Sequence, residues 1–174
     1  MVPAAILIGP PGAGKSSVGK SLAQKLDLDF HDTDHLIEES VGVSVSEIFL
    51  DKGEAFFREK EKEIVASEIQ NFNGVLSLGG GSVLDPLTAE ILTNSGHPII
   101  FLDVSLSSAA PRIGFNRDRP LLVGNPRAKW QELMNIRRPI YEKLATITVS
   151  TDSSTPSQVA QEIVTLLAAK KGAQ

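Results

Sequence analysis

The stretch GPPGAGKS, Gly9 to Ser16, follows the apolar run AILI and precedes KSSVGKSLAQKL, in which Val18, Leu22 and Leu26 recur at helical spacing. This placement constrains the fold more than any other feature of the chain. An uninterrupted apolar run ending in glycine reads as a strand buried on both faces, so the sheet it belongs to needs helices on both sides. The pattern G-x-x-x-x-G-K-[ST] between such a strand and a helix is a phosphate cradle. Its glycines let backbone N–H groups converge on phosphate oxygens, and the helix N-terminus favours their negative charge. Gly12, Ala13, Gly14, Lys15, Ser16 and Ser17 are therefore the expected nucleotide contacts, with Lys15 on the terminal phosphates and the Ser16 hydroxyl available to Mg²⁺.

The alternation continues down the chain. LDFHD, GVLSLGG, PIIFLDV and ITVST read as further strands, and DHLIEESVG, SVSEIFLDKG, EAFFREKEKEIVASEI, PLTAEILTNSG and PSQVAQEIVTLLAAKK as helices, the last with Pro156 suited to a first turn. Five strands alternating with helices predict an α/β fold in three layers, a parallel five-stranded sheet flanked by helices. At 174 residues the chain suits one domain, residues 1–174. Between Arg112 and Arg127 the periodicity lapses in RIGFNRDRPLLVGNPR, a loop long enough to be functional and expected to act as a lid over about residues 112–127. AKWQELMNIRRPIYEKLA then resumes as a helix, with a bend or break expected near Pro139.

FHDTDH places Asp32 and Asp34 two positions apart at the end of the second strand. On extended backbone they point the same way, about 6 to 7 Å apart. If that strand runs beside the first, one carboxylate can hold a metal through water and the other can accept a hydrogen bond from an attacking hydroxyl. Asp32, nearer the strand, suits the metal, and Asp34 the acceptor. The plainer alternative is that either aspartate caps the helix that follows.

In GEAFFREKE, Glu54, Phe57, Arg58 and Glu61 fall on one helical face. That spacing also suits an ordinary surface helix, but an arginine braced by Glu61 and flanked by Phe57 makes a rigid fork for a small carboxylate. LGGGSV places Gly79, Gly80 and Gly81 after the third strand, either as a tight crossover turn or as backbone that a ligand approaches closely. Arg137 and Arg138 are candidates for the same pocket.

Composition narrows the partners. The net charge of −4 offers no broad basic field for nucleic acid or an anionic membrane. The absence of cysteine removes disulfides, thiol nucleophiles and zinc–thiolate sites. With no apolar stretch of spanning length and no basic leader at the start, a soluble cytoplasmic protein is expected.

Taken in order, GPPGAGKSS, DTD, GEAFFREKE, LGGGS, RPLL and RRPIY resemble the motifs of the shikimate kinase family, from Leu7 to Pro156. The resemblance implies a P-loop NTPase fold and transfer of a phosphoryl group from ATP to the 3-hydroxyl of shikimate, in aromatic amino acid biosynthesis. It implies that Ser16 and Asp32 serve Mg²⁺, and that Lys15, Asp34 and Arg119 are catalytic. Asp34, Phe57, Arg58, Glu61, Gly79, Gly80, Gly81 and Arg137 would bind the substrate, the two arginines clamping its carboxylate. Arg137 is preferred to Arg138 because the family arginine sits two positions before the proline. Arg112, Ser154 and Pro156 would flank adenine, although family members often carry arginine where this chain has Ser154. Arg119 would come down with the lid, and Arg117 is a second candidate there. The resemblance also implies a monomer that binds neither nucleic acid nor membrane. The readings that compete with it are a kinase of another small acceptor such as gluconate, and a P-loop regulator that signals by nucleotide state.

Overall fold

The computed structural model describes residues 3–113 and 124–172. Five parallel strands form one sheet in the order β2-β3-β1-β4-β5. They are β1 (Ala5–Ile8), β2 (Asp29–Asp32), β3 (Gly74–Ser77), β4 (Ile99–Asp103) and β5 (Ile147–Ser150). The helices between and around them are α1 (Lys15–Leu26), α2 (Thr33–Val41), α3 (Val45–Asp51), α4 (Gly53–Asn71), α5 (Pro86–Asn94), α6 (Leu106–Ile113), α7 (Pro126–Leu144) and α8 (Pro156–Lys171), with a 3₁₀ turn at Ser82–Leu84.

The burial of each strand follows its place in the sheet. The inner strands β1 and β3 are buried at every residue, as continuous apolar runs require when helices cover both faces. At the edge, β5 alternates buried and exposed residues. The main core gathers β1, β3 and β4 against α1, α7 and α8, and a smaller cluster of Ile37, Ile48 and Phe57 lies among α2, α3 and α4.

Several expectations are corrected. β2 does not run beside β1, because β3 lies between them, with Ala5 opposite Val75 on one side and Asp32 opposite Ser77 on the other. Asp34 is not on extended backbone, since α2 already begins at Thr33 and the alternation of a strand stops at Asp32. α7 runs unbroken from Pro126 to Leu144 with Pro139 inside it. Both Pro139 and Asn135, whose carbonyl loses its usual N–H partner, are exposed, so water can take that carbonyl. Arg112 belongs to α6, and Asn125 caps α7 by accepting from the Ala128 N–H, so the irregular stretch is shorter than 112–127. Its middle, with Arg117 and Arg119, lies outside the described residues.

Candidate active site

The site forms outside the C-terminal ends of the strands, where ligands bind in open parallel sheets. The loop after β1 passes through Gly12 and Gly14 at φ of 82° and 87°, a left-handed region that disfavours other residues. Gly14 caps α1 without a side chain, which leaves the N–H groups of the first turn facing outward. Lys15 Nζ donates back to Gly9 O and Pro10 O at 2.8 and 3.1 Å, bracing the loop from inside. Although β3 intervenes between β1 and β2, Ser16 in the first turn of α1 reaches the end of β2, where its Oγ donates to Asp32 Oδ2 at 2.7 Å. The other oxygen, Asp32 Oδ1, accepts from the Asp34 N–H at 3.0 Å. One carboxylate thus both caps α2 and meets Ser16. A hydroxyl beside a carboxylate supplies hard oxygen donors, and one carboxylate suffices for an ion such as Mg²⁺ that keeps several of its waters.

A cavity of about 510 Å³ opens over this loop. Gly12, Ala13, Gly14, Lys15, Ser16 and Ser17 line it, with Asp32, Asp34 and Gly80 contributed from the β2 and β3 side of the sheet and Arg112, Ser154 and Pro156 from the β4 and β5 side. Arg112 is held there by Thr151. Its Nη1 donates to Thr151 Oγ1 at 2.9 Å and to Gly12 O at 3.3 Å, and its Nη2 donates to the Thr151 carbonyl.

Around the Gly80 end, four charged side chains converge on the glycine loop. None of Gly79, Gly80 and Gly81 has positive φ, so the need for glycine here is room. A Cβ on Gly79 would stand 2.6 Å from Asp34 Oδ1 and 2.8 Å from Glu61 Oε2. One on Gly80 would stand 3.2 Å from Arg137 Nη1, and one on Gly81 2.7 Å from both terminal nitrogens of Arg58. Arg58 Nη1 donates to Glu61 Oε1 at 2.7 Å, its Nε and Nη2 reach Glu54 at 3.3 Å, and its guanidinium lies 5.3 Å from the Phe57 ring centroid. Burial alone would lower the Arg58 pKa, but the charges and hydrogen bonds of Glu61 and Glu54 outweigh it and raise the guanidinium above its ordinary value. Phe57 itself packs into the small core beside Phe49 and supports Arg58 from below.

Arg137 and Arg138 separate cleanly. Arg138 is turned to the end of β4, where Asp103 takes two of its nitrogens at 2.6 and 3.1 Å and holds its pKa up. Arg137 is 3% exposed beside Gly80. Among the described residues, Arg137 Nε, Glu61 Oε2 and Ser82 Oγ are buried without a hydrogen-bond partner. Buried polar atoms left open in this way are costly, and they mark where a polar ligand would complete the structure.

The family model that matches the chain is that of shikimate kinase, over residues 11–168. The chain belongs to the shikimate kinase family. It is accordingly a P-loop kinase that uses ATP as phosphoryl donor. A shikimate kinase of Rhodococcus jostii is 48% identical over 97% of this chain and 99% of its own length. Another, from Salinispora arenicola, is 48% identical over 97% of this chain and its entire length. Among solved structures, a shikimate kinase from Acinetobacter baumannii in complex with shikimate superposes with a TM-score of 0.92 at 32% identity, covering 98% of this chain and 95% of that one.

Within this shikimate kinase fold, some supporting residues were given no role from the sequence, although Thr33 and Tyr141 fall inside DTD and RRPIY. Thr33, the middle residue of DTD, is completely buried and accepts from the Gly79 N–H at 3.1 Å, tying the glycine loop to α2. Trp130, Tyr141 and Thr151 likewise act through backbone or arginine partners far away in sequence. Only burial would have flagged Trp130 and Thr151. Thr33→Val keeps the shape and strands the Gly79 N–H, so stability should fall by about 1–3 kcal/mol in denaturant unfolding. An unchanged midpoint would show that this bond is dispensable. Among the described residues no helix is long and apolar enough to cross a membrane.

Proposed function

We propose that this single-domain kinase transfers the γ-phosphoryl group of ATP to the 3-hydroxyl of shikimate, giving ADP and shikimate 3-phosphate. The observation that carries this reading is the convergence of Asp34, Glu61, Arg58 and Arg137 on one glycine loop at the end of the phosphate cavity. A small acceptor with a carboxylate and ring hydroxyls matches that set: two guanidinium groups for the carboxylate, and acidic oxygens for the hydroxyls.

Gly12 to Ser17 bind the ATP phosphates, and Arg112, Ser154 and Pro156 flank adenine. Ser16 and Asp32 hold Mg²⁺, which when bound neutralises charge on the phosphate oxygens. Lys15 swings from the loop carbonyls to the terminal phosphates. Asp34 accepts a hydrogen bond from the acceptor hydroxyl, aims its oxygen at the γ-phosphorus and takes its proton as the bond forms. Phosphoryl transfer through a loose transition state asks for alignment and charge neutralisation more than for early proton removal. Arg119, assigned from the family motif RPLL, meets the transferring group. Arg58 and Arg137 clamp the carboxylate, with Glu61 bracing Arg58, Phe57 supporting it, and Gly79, Gly80 and Gly81 leaving room for the ring. We assign the protein to the cytoplasm, as a monomer acting on a small molecule.

The deciding experiment measures ADP release from Mg²⁺-ATP with shikimate, with gluconate, and with neither. Turnover with shikimate alone is expected. Equal turnover in all three would sink the assignment. Arg58→Ala should raise the shikimate KM by about 10- to 150-fold, the worth of hydrogen bonds to a charged group, and leave kcat the less affected. A kcat loss at unchanged KM would place Arg58 elsewhere in the reaction.

A further inference from the structure

Two buried side chains of α7 take backbone carbonyls from the two loops that meet at the site. Trp130 Nε1 donates to Pro11 O at 2.8 Å, and the Tyr141 hydroxyl donates to Gly80 O at 2.6 Å. Trp130 is 3% exposed and Tyr141 is not exposed at all. Eleven residues apart on a helix, they lie on one face about 16 Å from each other along the axis. The loops themselves touch, since a Cβ on Gly80 would stand 3.3 Å from Gly9 O and 3.5 Å from Pro11 Cδ. Helix, phosphate loop and glycine loop thus form a closed ring of contacts.

The consequence lies in the peptide plane. In a planar trans peptide the carbonyl and the next N–H point in opposite directions. Trp130, by holding the Pro11 carbonyl, turns the Gly12 N–H away from α7. Tyr141 does the same to the N–H of Gly81. Gly12 lines the phosphate cavity, and Gly81 lies against Arg58. Neither N–H donates to any group among the described residues.

We propose that Trp130 and Tyr141 are positioning residues for phosphoryl transfer. Each fixes one peptide so that its N–H faces an anion, Gly12 toward the nucleotide phosphates and Gly81 toward the acceptor carboxylate. The shared helix sets the spacing between the two anion sites. Donors fixed before the ligand arrives need no reorganisation during reaction, which is the source of their value. Burial pushes the Tyr141 hydroxyl up to about 12, so it stays a proton donor at neutral pH. The acceptor half of this inference rests on the function proposed above, and the nucleotide half does not.

The test uses Tyr141→Phe, which removes only the hydroxyl, and Trp130→Phe, which removes the indole N–H and leaves a smaller aromatic ring in its place. ADP and shikimate affinities are measured separately by calorimetry, beside the melting temperature. Trp130→Phe should weaken ADP by about 3- to 10-fold, the worth of one neutral hydrogen bond, and leave shikimate unchanged. Tyr141→Phe should do the reverse. A general loss of stability from a merely structural role would not sort the ligands in this way. Unchanged constants, or equal loss of both ligands in each variant, would overturn the proposal. Should Trp130→Phe fail to fold, the wild type supplies the test, because Trp130 is the only tryptophan and its emission reports on its own N–H bond. ADP should leave that emission unchanged, because the bond to Pro11 is made before the ligand arrives, and a shift on binding ADP overturns the nucleotide half. If the wild type binds ADP but not shikimate, the acceptor assignment falls while the ADP measurements still decide the role of Trp130.

Discussion

Asp34→Asn should lower kcat by about 10² to 10⁴-fold, the range expected when a positioned proton acceptor is lost. The amide has nearly the shape of the carboxylate, so the first turn of α2 and its cap from Asp32 are retained. What disappears is the negative oxygen that orients the acceptor hydroxyl and takes its proton. ADP affinity should hold, because the phosphate loop and the Ser16–Asp32 pair lie on other residues. Steady-state ADP release with calorimetry of both ligands separates these quantities. A variant that turns over within threefold of wild type would remove Asp34 from the reaction and leave it a structural residue of α2.

Gly79→Ala tests the convergence itself. The added methyl would sit 2.6 Å from Asp34 Oδ1 and 2.8 Å from Glu61 Oε2, closer than carbon and oxygen can approach. Neither neighbour yields easily. Asp34 is on the first turn of α2, and Glu61 is 3% exposed and tied to Arg58 at 2.7 Å. The glycine loop has little freedom of its own either, because Thr33 holds the Gly79 N–H. Displacements approaching 1 Å at an aligned site cost on the order of 10²-fold, and the loss should appear in kcat/KM for shikimate. ADP binding should be spared, since the phosphate loop is not touched. Wild-type kcat/KM in this variant would mean that Asp34 and Glu61 are not held at the reacting centre.

Much of this site is visible in the sequence because its signals are local. The phosphate loop declares itself by glycine spacing between a buried strand and a helix, and the structure places Gly12 to Ser17 along one cavity. Arg58 declares itself through helical period, which brings Glu54 and Glu61 within reach one turn to either side. The aspartates are a mixed case. Their proximity is legible, but the helix start at Thr33, which puts Asp32 in a cap and Asp34 in a first turn, depends on where β2 stops pairing with β3.

By itself the sequence determined the order of the strands and of every helix but α6, the parallel α/β class, the phosphate cradle and the family, because each follows from residue type, local spacing or a string of motifs. Tertiary structure decided that β3 lies between β1 and β2, and that Thr33, Trp130 and Tyr141 hold the backbone of the glycine loop and that of the phosphate loop. Those outcomes turn on partners up to 119 positions apart, as Trp130 and Pro11 are. Periodicity tells a side chain which face of its own element it occupies. Which backbone carbonyl waits on that side is settled only when helices and strands pack and every buried donor finds an acceptor.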